Sequence, residues 1–195
     1  MKPLICGNPD IFAIESSITE AFENPGQRAL GYFLIEVSGK SYGVRSPAAT
    51  LLACSFDAVG RRLKRRGSHC LPFNTDLSAA QIVDTVRGAI YDEHRQNDTF
   101  FGLSADQFNS VLTANEVIWA PDGDAAFDDG GHVLQFDRGD MVRLIAFRNA
   151  ADSRVVIEST SEAHLTADEF YHILRSWYHA FETEWRNTLG SSRRN

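Results

Sequence analysis

Near the N-terminus, apolar residues recur at alternate positions. Phe12, Ile14 and Ile18 fall on one side of an extended chain, and Phe33, Ile35 and Val37 repeat the arrangement, so each segment predicts a strand with one buried face. Ser38-Gly39-Lys40 reads as the tight hairpin after the second strand, with Gly39 supplying the positive φ. The period then changes. Ser46-Pro47 predicts a helix start, a serine cap followed by proline at the first helical position, and Leu52, Phe56, Val59 and Leu63 form one helical stripe behind it. A basic run, Arg61, Arg62, Lys64, Arg65 and Arg66, occupies the negative end of that helix dipole, and Gly67 closes it. A second amphipathic helix is expected from Asp76 to about Glu93, carried by Ala79, Ile82, Val83, Val86 and Ile90. A shorter one begins at Ser104, where Gln107 completes a capping box. Between these two helices Gln96-Asn97-Asp98 marks a turn, and Phe100 and Phe101 are apolar enough to anchor the loop to the core.

The second half predicts a strand meander: Glu116–Ala120, His132–Asp137, Met141–Asn149 and Arg154–Ser159, divided by Arg138-Gly139 and Asn149–Ser153. In the third of these, Val142 and Leu144 face opposite to Ile145 and Phe147. A strand apolar on both sides belongs at the centre of a sheet. Thr166 and Glu169 then form a capping box, and Phe170, Ile173, Leu174, Trp177, Phe181 and Trp185 make one continuous stripe along a closing helix. The expected fold is α+β, a mainly antiparallel sheet covered by amphipathic helices, in a single domain over residues 1–189 with a disordered tail over 190–195.

Bulk composition agrees with one globular unit: 195 residues, 43% hydrophobic and 23% charged. No stretch reaches the ~18–20 apolar residues of a membrane span. The start, MKPLICGNPD, lacks the apolar core of a signal peptide, so a cytoplasmic protein is expected. Cys6, Cys54 and Cys70 are odd in number and widely spaced, which suits reduced thiols better than a disulfide framework. The net charge is −7, and −12 once the five basic residues of the run at 61–66 are set aside. Such a remainder repels nucleic acid and attracts basic partners.

Motifs for common enzyme chemistry are missing: no phosphate loop, no G-x-S-x-G, no H-E-x-x-H and no Rossmann glycines. His172 and His179, flanked by Glu169 and Glu182, have a spacing that can ligate metal, but no second helix offers matching ligands, so a solvated face is expected and no metal. His69-Cys70 sets a thiol beside a base, yet adjacent residues rarely give nucleophile geometry. The segment Pro121–Gly131 gathers Asp122, Asp124, Asp128 and Asp129 among glycines. It fails the EF-hand pattern, having neither the central glycine nor the closing glutamate. Two readings stand for it: a solvated connection between strands, or an acidic contact surface for a basic partner.

Four stretches carry a family likeness: GNPDIFAIE (Gly7–Glu15), GYFLIEVSGKSYG (Gly31–Gly43), SPAATLLACSFDAVGRRL (Ser46–Leu63) and TFFGLSADQF (Thr99–Phe108). They resemble immunity protein family 42 of bacterial polymorphic toxin systems. The resemblance implies a cytoplasmic protein that binds and blocks the C-terminal domain of a cognate toxin, commonly in contact-dependent growth inhibition. It implies no catalytic residue and no cofactor. Toxins of these systems are often nucleases, and an acidic surface suits a cleft built to attract phosphate. The contact residues expected are Asp122, Asp124, Asp128 and Asp129. Two other readings remain from the residues: a small hydrolase or nucleotide-modifying enzyme using His132, Asp137 or Asp140, and a structural adaptor without a toxin partner.

Overall fold

The computed structural model describes residues 2–72, 76–119 and 125–192, and among them the strands form two antiparallel sheets. The first comprises β1 (Leu4–Asn8), β2 (Phe12–Ala21), β3 (Ala29–Val37) and β4 (Lys40–Tyr42) in that order, with the short β5 (Thr50–Leu51) pairing on β3. Register sets Phe12 opposite Val37, Ile14 opposite Ile35 and Ile18 opposite Gly31. The alternate apolar residues therefore share one face, and all of them are buried. Ser38 and Gly39 both have positive φ, 50° and 76°, the pair of left-handed conformations that lets a two-residue turn follow the strand twist.

The second sheet is β6 (Gly131–Arg138), β7 (Met141–Arg148) and β8 (Ser161–Thr166), with β7 in the middle as its two apolar faces predict. Those faces serve different cores. Val142, Leu144 and Ala146 join the first sheet and the final helix α5 (Ala167–Ser192) in one cluster. Ile145 and Phe147 join α2 (Ala79–Tyr91) and α3 (Ala105–Ala114) in the other. Both of those helices open on a capping box, Ser78 with Gln81 and Ser104 with Gln107. The second box was legible; the first shifts the helix start from Asp76 to Ala79.

Three expectations are corrected. Ser46-Pro47 starts no helix: Leu52 N donates to the Ala29 carbonyl at 2.8 Å and the preceding pair forms β5, so α1 begins at Ala53 and has no side-chain cap. Its stripe of Leu52, Phe56 and Val59 is buried as expected. Arg154–Ser159 is not a strand but lies in the helix α4 (Ser153–Ser159), because the Asp152 carboxylate accepts from Arg154 N at 2.8 Å and caps a turn there. Only Val156 of its three β-branched residues is buried, while Ile157 is 70% exposed. The strand comes one step later, where Ser161, Ala163 and Leu165 alternate inward. Over Glu116–Ala120 the pairing with β6 amounts to a single bridge, Ile118 to Leu134, supported by Trp119 N donating to the Val133 carbonyl; Ala120 lies outside the described residues. Of the loop aromatics, Phe100 is buried and Phe101 stays partly exposed against Phe108.

The helix α5 is capped as predicted, with Glu169 N donating to Thr166 Oγ1 at 3.2 Å and Thr166 N donating to Glu169 Oε2 at 3.1 Å. Hydrogen bonds from the Thr166 hydroxyl and amide hold the Glu169 carboxyl below the usual carboxylate range. Phe170, Leu174, Trp177 and Phe181 are fully buried, and Ile173 and Trp185 partly so. The helix continues to Ser192, inside the stretch expected as a tail; residues 193–195 lie outside the described ones.

Trp177 meets Phe33 edge-on at 5.1 Å, stacks on Phe181 at 5.1 Å, and donates through Nε1 to Ser16 Oγ at 3.0 Å. Trp177→Ala should therefore lower the unfolding free energy by about 3–5 kcal/mol in urea denaturation. A variant that melts with the parent would show that α5 does not pack on the first sheet through this ring.

Candidate functional site

On α1 (Ala53–Lys64) the buried face carries Ser55, Val59 and Arg62, so the helical period itself drives an arginine into the interior. The Arg62 guanidinium lies over the Trp119 ring at 4.6 Å and donates to Gln135 Oε1 at 2.8 Å and to the Glu116 carbonyl at 3.1 Å. Among the described residues no carboxylate comes within ion-pair distance of it. Burial pushes this guanidinium down to about 9, still a cation at neutral pH. Gln135 passes the interaction on, donating through Nε2 to Asp137 Oδ1 and to the Tyr171 hydroxyl, both at 2.9 Å. Asp137 Oδ2 accepts from Gly67 N at 2.7 Å, Tyr171 OH at 2.8 Å and His69 N at 3.3 Å. Burial, and then the Asp137 charge, push the Tyr171 phenol upward.

This chain of contacts joins the end of α1, β6 and the start of α5. It leaves the Asp137 carboxylate with donors from the protein on both oxygens. His132, the other buried residue of the enzymatic reading, has the opposite parity on β6 and so faces the other core, its ring stacked on Phe147 at 5.1 Å and its Nε2 accepting from the Tyr91 hydroxyl. Asp140 sits exposed in the turn between β6 and β7. The three residues do not converge on one site.

The basic run after residue 60 is similarly occupied. Arg61 and Arg65 pair with Glu116 at 3.4 and 3.6 Å, and Arg65 also donates to the Ala114 carbonyl. Arg66 pairs with Asp168 at 2.6 Å and lies over the Tyr171 ring. Among the described residues Lys64 alone in the run has no such tie, so most of this positive charge is engaged within the molecule.

A cleft of about 980 Å³ opens between α1, α3 and β5. Asp57 and Arg61 of α1, Tyr91 of α2 and Thr113 of α3 stand on its walls, and Trp119 and Ala125 line it as well. Trp119 precedes the acidic segment and Ala125 lies within it, so the described residues on either side of 120–124 both line the cleft. Asp122 and Asp124 themselves lie outside the described residues. Asp128 is exposed. Asp129 is engaged: it accepts from Gly43 N and Gly131 N and pairs with Arg148 at 3.0 Å, tying the end of β4 to β6 and β7. The cleft itself escaped sequence reasoning, since its walls come from separate segments with no shared motif.

His172 and His179 are exposed on α5, and among the described residues no group of three or more His, Cys, Asp or Glu is placed to hold a metal. The three thiols are free, Cys54 and Cys70 exposed, with the half-buried Cys6 thiol raised by burial. No described helix is long and apolar enough to cross a membrane.

Two antiparallel sheets, a long closing helix and a polar interior that joins them define an α+β fold shared with a known bacterial structure. A crystal structure of CdiI from Burkholderia dolosa AUO158 is similar to this chain, with a TM-score of 0.55, 17% identity, and coverage of 89% of this chain and 97% of that one. No curated protein matches in sequence. The profile described as Immunity protein 42 matches residues 4–180, from β1 into α5. The chain belongs to the immunity protein 42 family, and its function is that of a toxin-neutralising immunity protein.

The polar interior makes a ranked prediction. Asp137→Asn keeps the side-chain size but removes the charge that faces Arg62, and should cost about 3–5 kcal/mol. Tyr171→Phe deletes one hydroxyl and should cost about 1–3 kcal/mol. Chemical denaturation of both variants that returned the reverse order would place the weight of the network on the phenol and not on the carboxylate.

Proposed function

We propose that this immunity protein blocks its toxin sterically and electrostatically, without turnover, through the carboxylates of Asp122, Asp124 and Asp128, in a segment whose neighbours Trp119 and Ala125 line the cleft between α1 and α3. The observation that carries the reading is that Trp119, just before the acidic segment, and Ala125, within it, both line that cleft. A concave rim beside a loop of carboxylates matches a convex, cationic surface, and charge of this kind acts mainly on the rate of encounter. Asp129 has a supporting role here, since its carboxylate is spent on Gly43, Gly131 and Arg148.

The partner is the C-terminal domain of the cognate toxin, presenting a basic surface of the sort that attracts phosphate, as a nuclease does. Absence of turnover is supported by Asp137 and His132, whose side chains are hydrogen-bonded within the protein and lie on opposite faces of β6. The encounter takes place in the cytoplasm, where three unpaired thiols stay reduced.

The test is stopped-flow association with the cognate toxin domain, over a range of ionic strength. Asp122→Asn, Asp124→Asn and Asp128→Asn combined should slow association about 3–10-fold at low salt and flatten its salt dependence, with little change in dissociation. An equal loss of charge elsewhere, Asp10→Asn, Glu20→Gln and Asp140→Asn, should leave the rate near the parental value. If the second triple slows association and the first does not, the contact surface lies away from the cleft.

A further inference from the structure

His69 is 0% exposed and sits where the end of α1, the segment after α3 and β6 come together. Its main chain is bound on both sides to one residue: His69 N donates to Asp137 Oδ2 at 3.3 Å, and Asp137 N donates to the His69 carbonyl at 2.7 Å. The ring continues the connection. Nδ1 lies 3.0 Å from the Asn115 carbonyl, and because a carbonyl only accepts, Nδ1 carries the proton. Nε2 is buried and, among the described residues, has no partner.

The cost of that arrangement depends on the charge of the ring. In the neutral form Nε2 is a lone acceptor without a donor, a modest penalty. A second proton would create a buried cationic donor with nothing to receive it. The charged groups around it come from each neighbouring element: Arg62 from α1, Asp137 from β6 and Glu116 from the segment after α3, with the neutral Tyr171 phenol of α5 already bonded to Asp137. Arg62 repels a second cation, while both carboxylates are engaged elsewhere, Asp137 by its four donors and Glu116 by Arg61 and Arg65.

We propose that His69 is an acid-sensitive latch: neutral, it closes the junction of α1, β6 and the Asn115–Trp119 segment; protonated, it opens that junction. Burial first, and then Arg62, hold the ring below the ordinary histidine range, which is the direction the geometry requires. The Asn115–Trp119 segment leads into the cleft rim, so opening the latch loosens one flank of the acidic loop. That consequence for toxin binding rests on the function proposed above; the latch itself does not, and it is tested on the free protein.

The sign follows from linkage. A base whose folded value is depressed contributes stability that is fully present above its unfolded value, about 6.5, and is lost as pH falls from there towards the folded value. In that window the unfolding equilibrium constant of the parent should rise up to about tenfold per pH unit from this one group. His69→Asn keeps a donor for the Asn115 carbonyl and does not titrate, so the one-proton slope should vanish from urea denaturation measured between pH 8 and pH 4.5. The exposed His172→Asn should retain it. Should His69→Asn fail to fold, NMR of the parent decides: the His69 ring should titrate below the ordinary histidine range, and its protonation should coincide with shifts of the Gly67, Asp137 and Val117 amides. Equal slopes in parent and His69→Asn, or a His69 ring that titrates near 6.5 without moving those amides, would overturn the latch.

Discussion

Asp137 brings a carboxylate into the interior beside a buried guanidinium, and neither charge is tolerable there unless its surroundings are fixed. Asp137 accepts from a main-chain amide past the end of α1, from the phenol of α5 and from Gln135, which in turn accepts from Arg62. These groups come from α1 and the turn after it, from β6 and from α5, and each has one place from which it can reach. Apolar contacts alone tolerate sliding by a fraction of a turn. A hydrogen-bonded charge network does not, so it determines how α1 and α5 sit on the second sheet while the apolar stripes supply most of the favourable free energy.

That division explains why β7 can serve two cores. Its inward and outward faces pack against unrelated partners, the first sheet with α5 on one side and α2 with α3 on the other. The helices α2 and α3 form a satellite joined to the rest through the second sheet and through the Asn115–Trp119 segment. The cleft lies along this seam, between α1 of the main core and α3 of the satellite. Surface loops that carry recognition are commonly set on such rigid joints.

Much of this was legible in the sequence because period and cap are local signals. The alternation through Phe12–Ile18 and Phe33–Val37, the two-sided strand at Met141, and the Thr166–Glu169 box each depend on residues a few positions apart, and the structure keeps all three. Errors arose where two local signals competed. Ser46-Pro47 is a good helix start, yet pairing of residues 50 and 51 with β3 claims the chain first. Val155-Val156-Ile157 is β-branched, yet the Asp152 cap and the exposure allowed to Val155 and Ile157 favour a short helix. The interior network was the least legible part. Arg62 reads as one member of a basic run set at the negative end of the helix dipole, and only the phase of the α1 stripe marks it as buried. The acidic segment was visible as composition, but the engagement of Asp129 depends on Gly43 and Arg148, residues distant in sequence.

The closing helix also decides when the protein exists. Trp177 bonds to Ser16 and Trp185 to the carbonyl of Phe22, and the hairpin tip at Ser38 bonds to the carbonyl of Glu162, so the first sheet has its apolar face covered by segments that are made long after it. During synthesis the strands β1 to β4 emerge long before α5, with Phe12, Phe33 and their neighbours bare. The native core is therefore assembled only once α5 has been made, through contacts of very long sequence separation, which form slowly. A toxin-neutralising protein protects only once it is folded, so the interval between the emergence of β1 and the closing of α5 is time without protection.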